Sequence, residues 1–149
     1  MSEDTSGGAW WRQHELACAL NAGASGLTCD QAGVELLIEH DCWLHRAGFT
    51  RHFISTDHSS TLAFVDWSAA VAALAAGQLP CSGGEARMLR IAASIAAGTP
   101  VELCDALPGL DATNLALVAT AVLHAGGYPG AIVDPPVKHP PHRYEGPPR

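Results

Sequence analysis

Lysine is almost missing from this sequence: seven of the eight basic side chains are arginine, Lys138 is the one lysine, and they face 15 acidic residues. Broad phosphate-binding surfaces need dense positive charge, so an extended nucleic-acid or anionic-membrane footprint is disfavoured. The deficit is uneven. Residues 1–128 carry 13 acidic and five basic side chains, while residues 129–149 carry two acidic and three basic. There is no uninterrupted apolar stretch of ~18 residues, the length that a membrane-spanning helix needs. "MSEDTSGG" has neither the basic charge nor the apolar run of a secretory leader, which points to a cytoplasmic protein without a membrane partner. The five cysteines form no C-x-x-C pair, and their odd number without a leader reads as free thiols packed as small hydrophobes. Also missing are a nucleotide loop, a motif of paired carboxylates and a nucleophile with a marked base, so the chain reads as non-enzymatic.

What is present is apolar. Hydrophobic residues make up 48% of the 149 and charged residues 15%, enough for a folded core and too little charge for wholesale disorder. The pattern predicts a mainly α fold: a compact bundle of about five helices in one domain over 1–128, with the first eight residues flexible. The first helix covers 10–21 and ends at "NAGASG". The second opens on a capping box of Thr28 and Gln31, and places Cys29, Ala32, Gly33, Leu36, Leu37, His40, Trp43, Leu44 and Ala47 on one face. Read as continuous, it stops at Gly48.

Residues 49–65 read as a short β-hairpin around "STDHSS", although Phe49 and Phe53, four apart, also suit one helical turn. Asp66 then caps a helix with Trp67, Ala70, Val71 and Leu74 inward. Ser82 and Glu85 form a second capping box, ahead of Met88, Leu89, Ala92, Ile95 and Ala96. Residues 100–107 read as one short turn. Asp111 caps the last helix, with Leu115, Val118, Val122 and Ala125 inward. From 129 to 149 seven prolines in 21 residues exclude a helix, and the segment reads as a disordered, polyproline-like arm available to a partner.

Several constellations offer chemistry. "IEHDCWLHR" crowds His40, Asp41, Cys42 and His45 into one helix end, but at 100° per residue these side chains diverge, and His40 belongs to the core, held by a hydrogen bond from a neighbour. "HELAC" resembles the H-E-x-x-H layout of zinc peptidases with Cys18 replacing the second histidine, and Glu15 would then be the base. No cofactor motif is present otherwise. The one cofactor suggested by the residues is zinc, joining His14 and Cys18 to Cys42 and His45 if the two helices pack. "LPCSGGEAR" leaves the first-turn N–H groups of Ser82, Gly83 and Gly84 open to an anion, with Cys81 beside them. Trp10 and Trp11 cannot both face one side of a helix, which suggests a self-association surface.

"LTCDQAGVELLIEHDCWLHRAGF", followed by the hairpin, resembles the helix-turn-helix and wing of excisionase-like DNA-binding proteins over about 27–65. That resemblance implies a break near Asp41 and a recognition segment at 42–52, where His45, Arg46, Arg51 and His52 form a basic patch. More broadly, "ELLIEHDCWLHRAGF", "VDWSAAVAALAAGQLPCSGGEARMLRIAASIAAG" and "LCDALPGLDATNLALVATAVLHAGG" are similar to a group of small actinobacterial proteins without an assigned function, over about 28–127. It implies no substrate or reaction. The sequence therefore reads first as a regulatory or interaction protein with a protein partner or a second copy of itself, next as a DNA-binding regulator, and last as a zinc-stabilised or thiol-based protein.

Overall fold

The computed structural model describes residues 5–57 and 61–138, with residues 5–11 as backbone alone. The fold is mainly helical. Among the described residues the elements run α1 (Thr5–Ala24), α2 (Thr28–His40), a 3-10 turn (Trp43–His45), α3 (Ala47–Phe53), β1 (Ile54–Asp57), β2 (Leu62–Val65), α4 (Trp67–Ala75), α5 (Gly83–Ala97), α6 (Leu103–Ala106), a second 3-10 turn (Leu107–Gly109) and α7 (Ala112–Ala125). Each of the five long segments expected to be helical holds an α-helix, the second only as far as His40. The expected flexible start is narrower than eight residues, because α1 already runs through Gly7 and Gly8 from Thr5; residues 1–4 lie outside the described residues.

Side-chain caps set three of the starts. Asp66 accepts from the Ala69 N–H at 3.0 Å and Asp111 from the Asn114 N–H at 2.8 Å. Ser82 accepts from the Glu85 N–H at 3.2 Å, while the Glu85 carboxylate takes the Ser82 N–H at 3.3 Å, closing the capping box. The box expected at Thr28 does not form. Leu27 holds the N-cap position, and its carbonyl accepts the first helical bond from the Gln31 N–H at 2.8 Å, so Thr28 is already inside the helix.

The hairpin is shorter than expected and begins later. Ile54 pairs with Val65 and Asp57 with Leu62 in an antiparallel ladder. "FTRHF" falls in α3 instead, because Phe49 and Phe53 stack on one side of that turn at 5.6 Å between centroids. The core lies around α2, which is packed between α5 and α7, while α1 covers β2 and α4 leans on α5. Covered from two sides, α2 buries Ala32, Gly33, Val34, Leu36 and Leu37.

Two contacts need glycine for closeness alone. A Cβ on Gly33 would lie 2.5 Å from the Ala96 Cβ and 2.7 Å from the Ala92 carbonyl oxygen, and one on Gly23 would lie 2.1 Å from the Ala63 carbonyl oxygen. Backbones this close gain dispersion contacts that a larger residue would break.

In α7 the helix is rolled relative to the expected face. Ala116, Val118 and Ala121 are buried, whereas Leu115 is 37% and Val122 55% exposed. The small alanines suit the close approach to α2, which turns the larger side chains outward. Beyond α7 the chain reverses. The Tyr128 carbonyl accepts from the Ala131 N–H and the Val133 N–H donates to Thr120 Oγ1 at 3.0 Å, so the chain returns to the side of the helix at Val133, and 134–138 continue without regular structure. The rest of the proline-rich arm, 139–149, lies outside the described residues.

Substituting Gly33 by alanine is expected to destabilise the fold by about 1–3 kcal/mol through overpacking. Gly48→Ala has open space and no left-handed backbone requirement, so in α3 it should stabilise by about 0.4–1 kcal/mol. Urea unfolding of both variants checks the opposite signs, and equal shifts would contradict the α2–α5 contact.

Candidate functional site

Of the two readings of residues 28–47, one continuous helix or a helix broken near Asp41, the structure has the break. α2 ends at Asp41, whose backbone is left-handed at φ 53° and ψ 41°, with its N–H donated to the Ile38 carbonyl. Aspartate is one of the few non-glycine residues that visits this region, because its short polar side chain bonds locally. Here the Asp41 carboxylate meets His45 Nε2 at 2.5 Å, closing the turn. The chain then passes through the 3-10 turn into α3, which places Trp43 and Leu44 in the core by a different path from a continuous helix.

Trp43 is completely buried, and its indole N–H donates to the Glu85 carbonyl at 3.2 Å. The Arg46 guanidinium lies over the Trp43 ring, 4.6 Å from its centroid, donates to the Pro80 carbonyl at 2.9 Å and pairs with the Glu85 carboxylate. Desolvation pushes the Glu85 carboxyl up, but Arg46 and the Ser82 N–H outweigh it and hold the group below its usual range. Glu85 therefore stays ionised at neutral pH.

This pairing corrects two expectations. An anion at Ser82, Gly83 and Gly84 would find the Ser82 N–H already taken by the protein's own Glu85 carboxylate, whose negative charge stands beside the other two. The basic patch of His45, Arg46, Arg51 and His52 also divides. Arg46 is committed to Glu85 and Pro80, and His45 is held between Asp41 and the Gln13 amide. Arg51 and His52 remain on the exposed side of α3.

The zinc set His14, Cys18, Cys42 and His45 does not converge. His14 and Cys18 do meet on α1, with Nε2 and Sγ 3.8 Å apart. Cys42 turns away towards Arg46, Glu85 and Cys81, where burial pushes its thiol up, so it is protonated at neutral pH. Among the described residues, one group of three donors lies within 4.8 Å, namely exposed Glu102, Cys104 and Asp105. All five cysteines are free, as expected, but Cys18, Cys29 and Cys104 are exposed and do not act as core hydrophobes. The side chains of Trp10 and Trp11 lie outside the described residues.

His40 is partly in the core, as its face position suggested, but the hydrogen bond expected there is missing: its buried Nδ1 has no partner. Burial is the main influence and lowers its pKa, against the raising effect of Glu85 and Asp111. A second histidine pair was not legible at all. His124 Nδ1 lies 2.6 Å from Glu35 Oε2, tying α7 to α2 across 89 positions that no short motif spans.

The His40 shift predicts a pH dependence. Its unfolded value is about 6.5 and the folded value is lower, so the unfolded chain binds more protons between the two and stability falls as pH drops through that window. Thermal unfolding from pH 7.5 to 5 should show this decline, and His40→Leu should flatten it; an unchanged slope in the variant would contradict a buried neutral imidazole. No helix among the described residues is long and apolar enough to cross a membrane. No known protein family, curated protein or solved structure matches this chain, so the reading of its surfaces rests on their own chemistry.

Proposed function

We propose that this chain is a non-enzymatic regulatory or interaction protein that docks a protein partner, or a second copy of itself, through the outer side of α7 and the segment that returns beside it. The observation that carries this reading is the side chains turned to solvent there. Leu115, Val122 and Leu123 on α7 are joined by Tyr128, Ile132 and Val137, with Ile132 83% exposed. Residues 112–125 contain no aspartate, glutamate, lysine or arginine, and the one titratable group, His124, is engaged by Glu35. Such a face offers nothing to a phosphate backbone, whereas an apolar protein surface gains by covering it. The proline-rich sequence that follows offers the same partner further contacts.

Val122→Asp with Ile132→Asp tests this without touching the core. Light scattering and partner capture by the full chain are expected to lose association by roughly tenfold or more, the effect of a single buried anchor. Association unchanged in the double variant would move the interface elsewhere.

One observation favours a second reading, DNA binding. The break at left-handed Asp41, the following α3 and the hairpin share the element order of the excisionase-like proteins that residues 27–65 resemble. Charge argues against it, with Arg46 neutralised and the folded part acidic. Fluorescence anisotropy with short duplexes at ~50 mM salt, where the electrostatic contribution is large, is expected to show no binding. Binding that weakens with salt and with Arg51→Glu would put this reading first.

A further inference from the structure

The geometry points to Cys18 as a site of reversible S-thiolation, with His14 as the base that activates it and a small zwitterionic disulfide as the reagent. His14 and Cys18 lie one helical turn apart on α1, so they share a face. Their Nε2 and Sγ atoms are 3.8 Å apart, the separation of a thiol that donates to a neutral imidazole. A nucleophile and a base within hydrogen-bond reach are the pairing on which cysteine chemistry depends. Both side chains open on the cleft between α1 and the hairpin, which at about 1030 Å³ is much the larger of the two clefts that α1 borders with polar groups. Both are exposed, so a reagent reaches Sγ without opening the core. Leu16 and Leu62 make the wall of this cleft partly apolar, and Arg12, Glu15 and Asp57 bring charge of both signs to it. Such a lining suits a small molecule that carries an ammonium and a carboxylate on a short aliphatic stem.

The other four thiols lack this combination. Cys42 is half-buried, and burial pushes its thiol up and keeps it protonated. Cys81 is half-buried too and packs against the core. Cys104 is exposed but donates to the Asp105 carboxylate at 3.9 Å, and a carboxylate is too weak a base to take a thiol proton. Cys29 is exposed and has no imidazole in hydrogen-bond reach among the described residues.

In the reaction the Cys18 thiol proton passes to His14 Nε2 as the sulfur attacks one sulfur of the reagent. The bond from Cys18 Sγ to that sulfur forms, the reagent's own S–S bond breaks, and the leaving thiolate recovers the proton from the imidazole. One half of the reagent stays on Cys18 as a mixed disulfide and the other is released as a thiol. The reagent is thus the oxidant, and excess thiol reverses the exchange by the same path.

The test treats the full chain with cystine and follows adducts by intact mass and peptide mapping. Cys18 should gain a cysteinyl group about tenfold faster than Cys29 or Cys104, because a thiol without a base is only a few per cent ionised at neutral pH. His14→Ala and His14→Gln should both slow Cys18 to the rate of those two, although glutamine keeps a hydrogen-bonding side chain. The native rate should level off with rising pH once the imidazole is neutral, whereas the variants' rates should keep climbing towards thiol ionisation. Uncharged hydroxyethyl disulfide, with Cys104 as the internal reference, should favour Cys18 less than cystine does. Circular dichroism of each variant separates lost activation from lost folding. Adducts spread evenly over Cys18, Cys29 and Cys104, or a Cys18 rate and pH profile indifferent to both His14 substitutions, overturn the site. Equal preference for the two reagents overturns the zwitterionic reagent.

Discussion

The arrangement depends on how one indole and one guanidinium are satisfied at the start of α5. Trp43 is too large and too apolar to leave in water, yet its N–H must have an acceptor once buried. The Glu85 carbonyl supplies it. Arg46 then lies on the outer face of the same ring and ties the Glu85 carboxylate and the Pro80 carbonyl together. Glu85 thus serves three partners: the indole through its carbonyl, the guanidinium through its carboxylate, and Ser82 through the capping box. The chain can reach this place from α2 only by turning sharply, and Asp41 provides the turn.

That constraint also sorts the surface by charge. The arginine most suited to a basic patch is used internally, and the helix start most suited to an anion is covered by the protein's own carboxylate. What is left on the turn side is a cleft whose polar lining is Gln13, His14, Asp41 and His45; the α7 side presents uncharged apolar side chains.

Much of the helix inventory was legible in the sequence because caps are local. The Asp66, Ser82 and Asp111 starts each depend on a side chain reaching three residues ahead, and each forms. The break at Asp41 was legible only as one of two readings, since Trp43 and Leu44 keep helical spacing with Leu36 and Leu37 whether the backbone is continuous or turned. Glycine would have announced a left-handed position; aspartate does not. The roll of α7 was missed for a related reason. Periodicity places Leu115 and Val122 on one face, but the close approach to α2 favours the smaller Ala116 and Ala121. In the candidate site, spacing paired His14 with Cys18 and Asp41 with His45, whereas which of Asp41 and Cys42 faces α1 is decided only by the turn.

The central place of α2 bears on how the chain assembles. Its two covers, α5 and α7, are made long after it, and the Glu35–His124 pair joins positions 89 residues apart. During synthesis, α2 emerges with its apolar sides uncovered, and the side facing α7 stays so until that helix has been made. Contacts of such long sequence separation slow folding and leave adhesive surface open meanwhile. The stage at which this chain most needs shielding is therefore the interval before α7 is available, when the final wall of the core is missing.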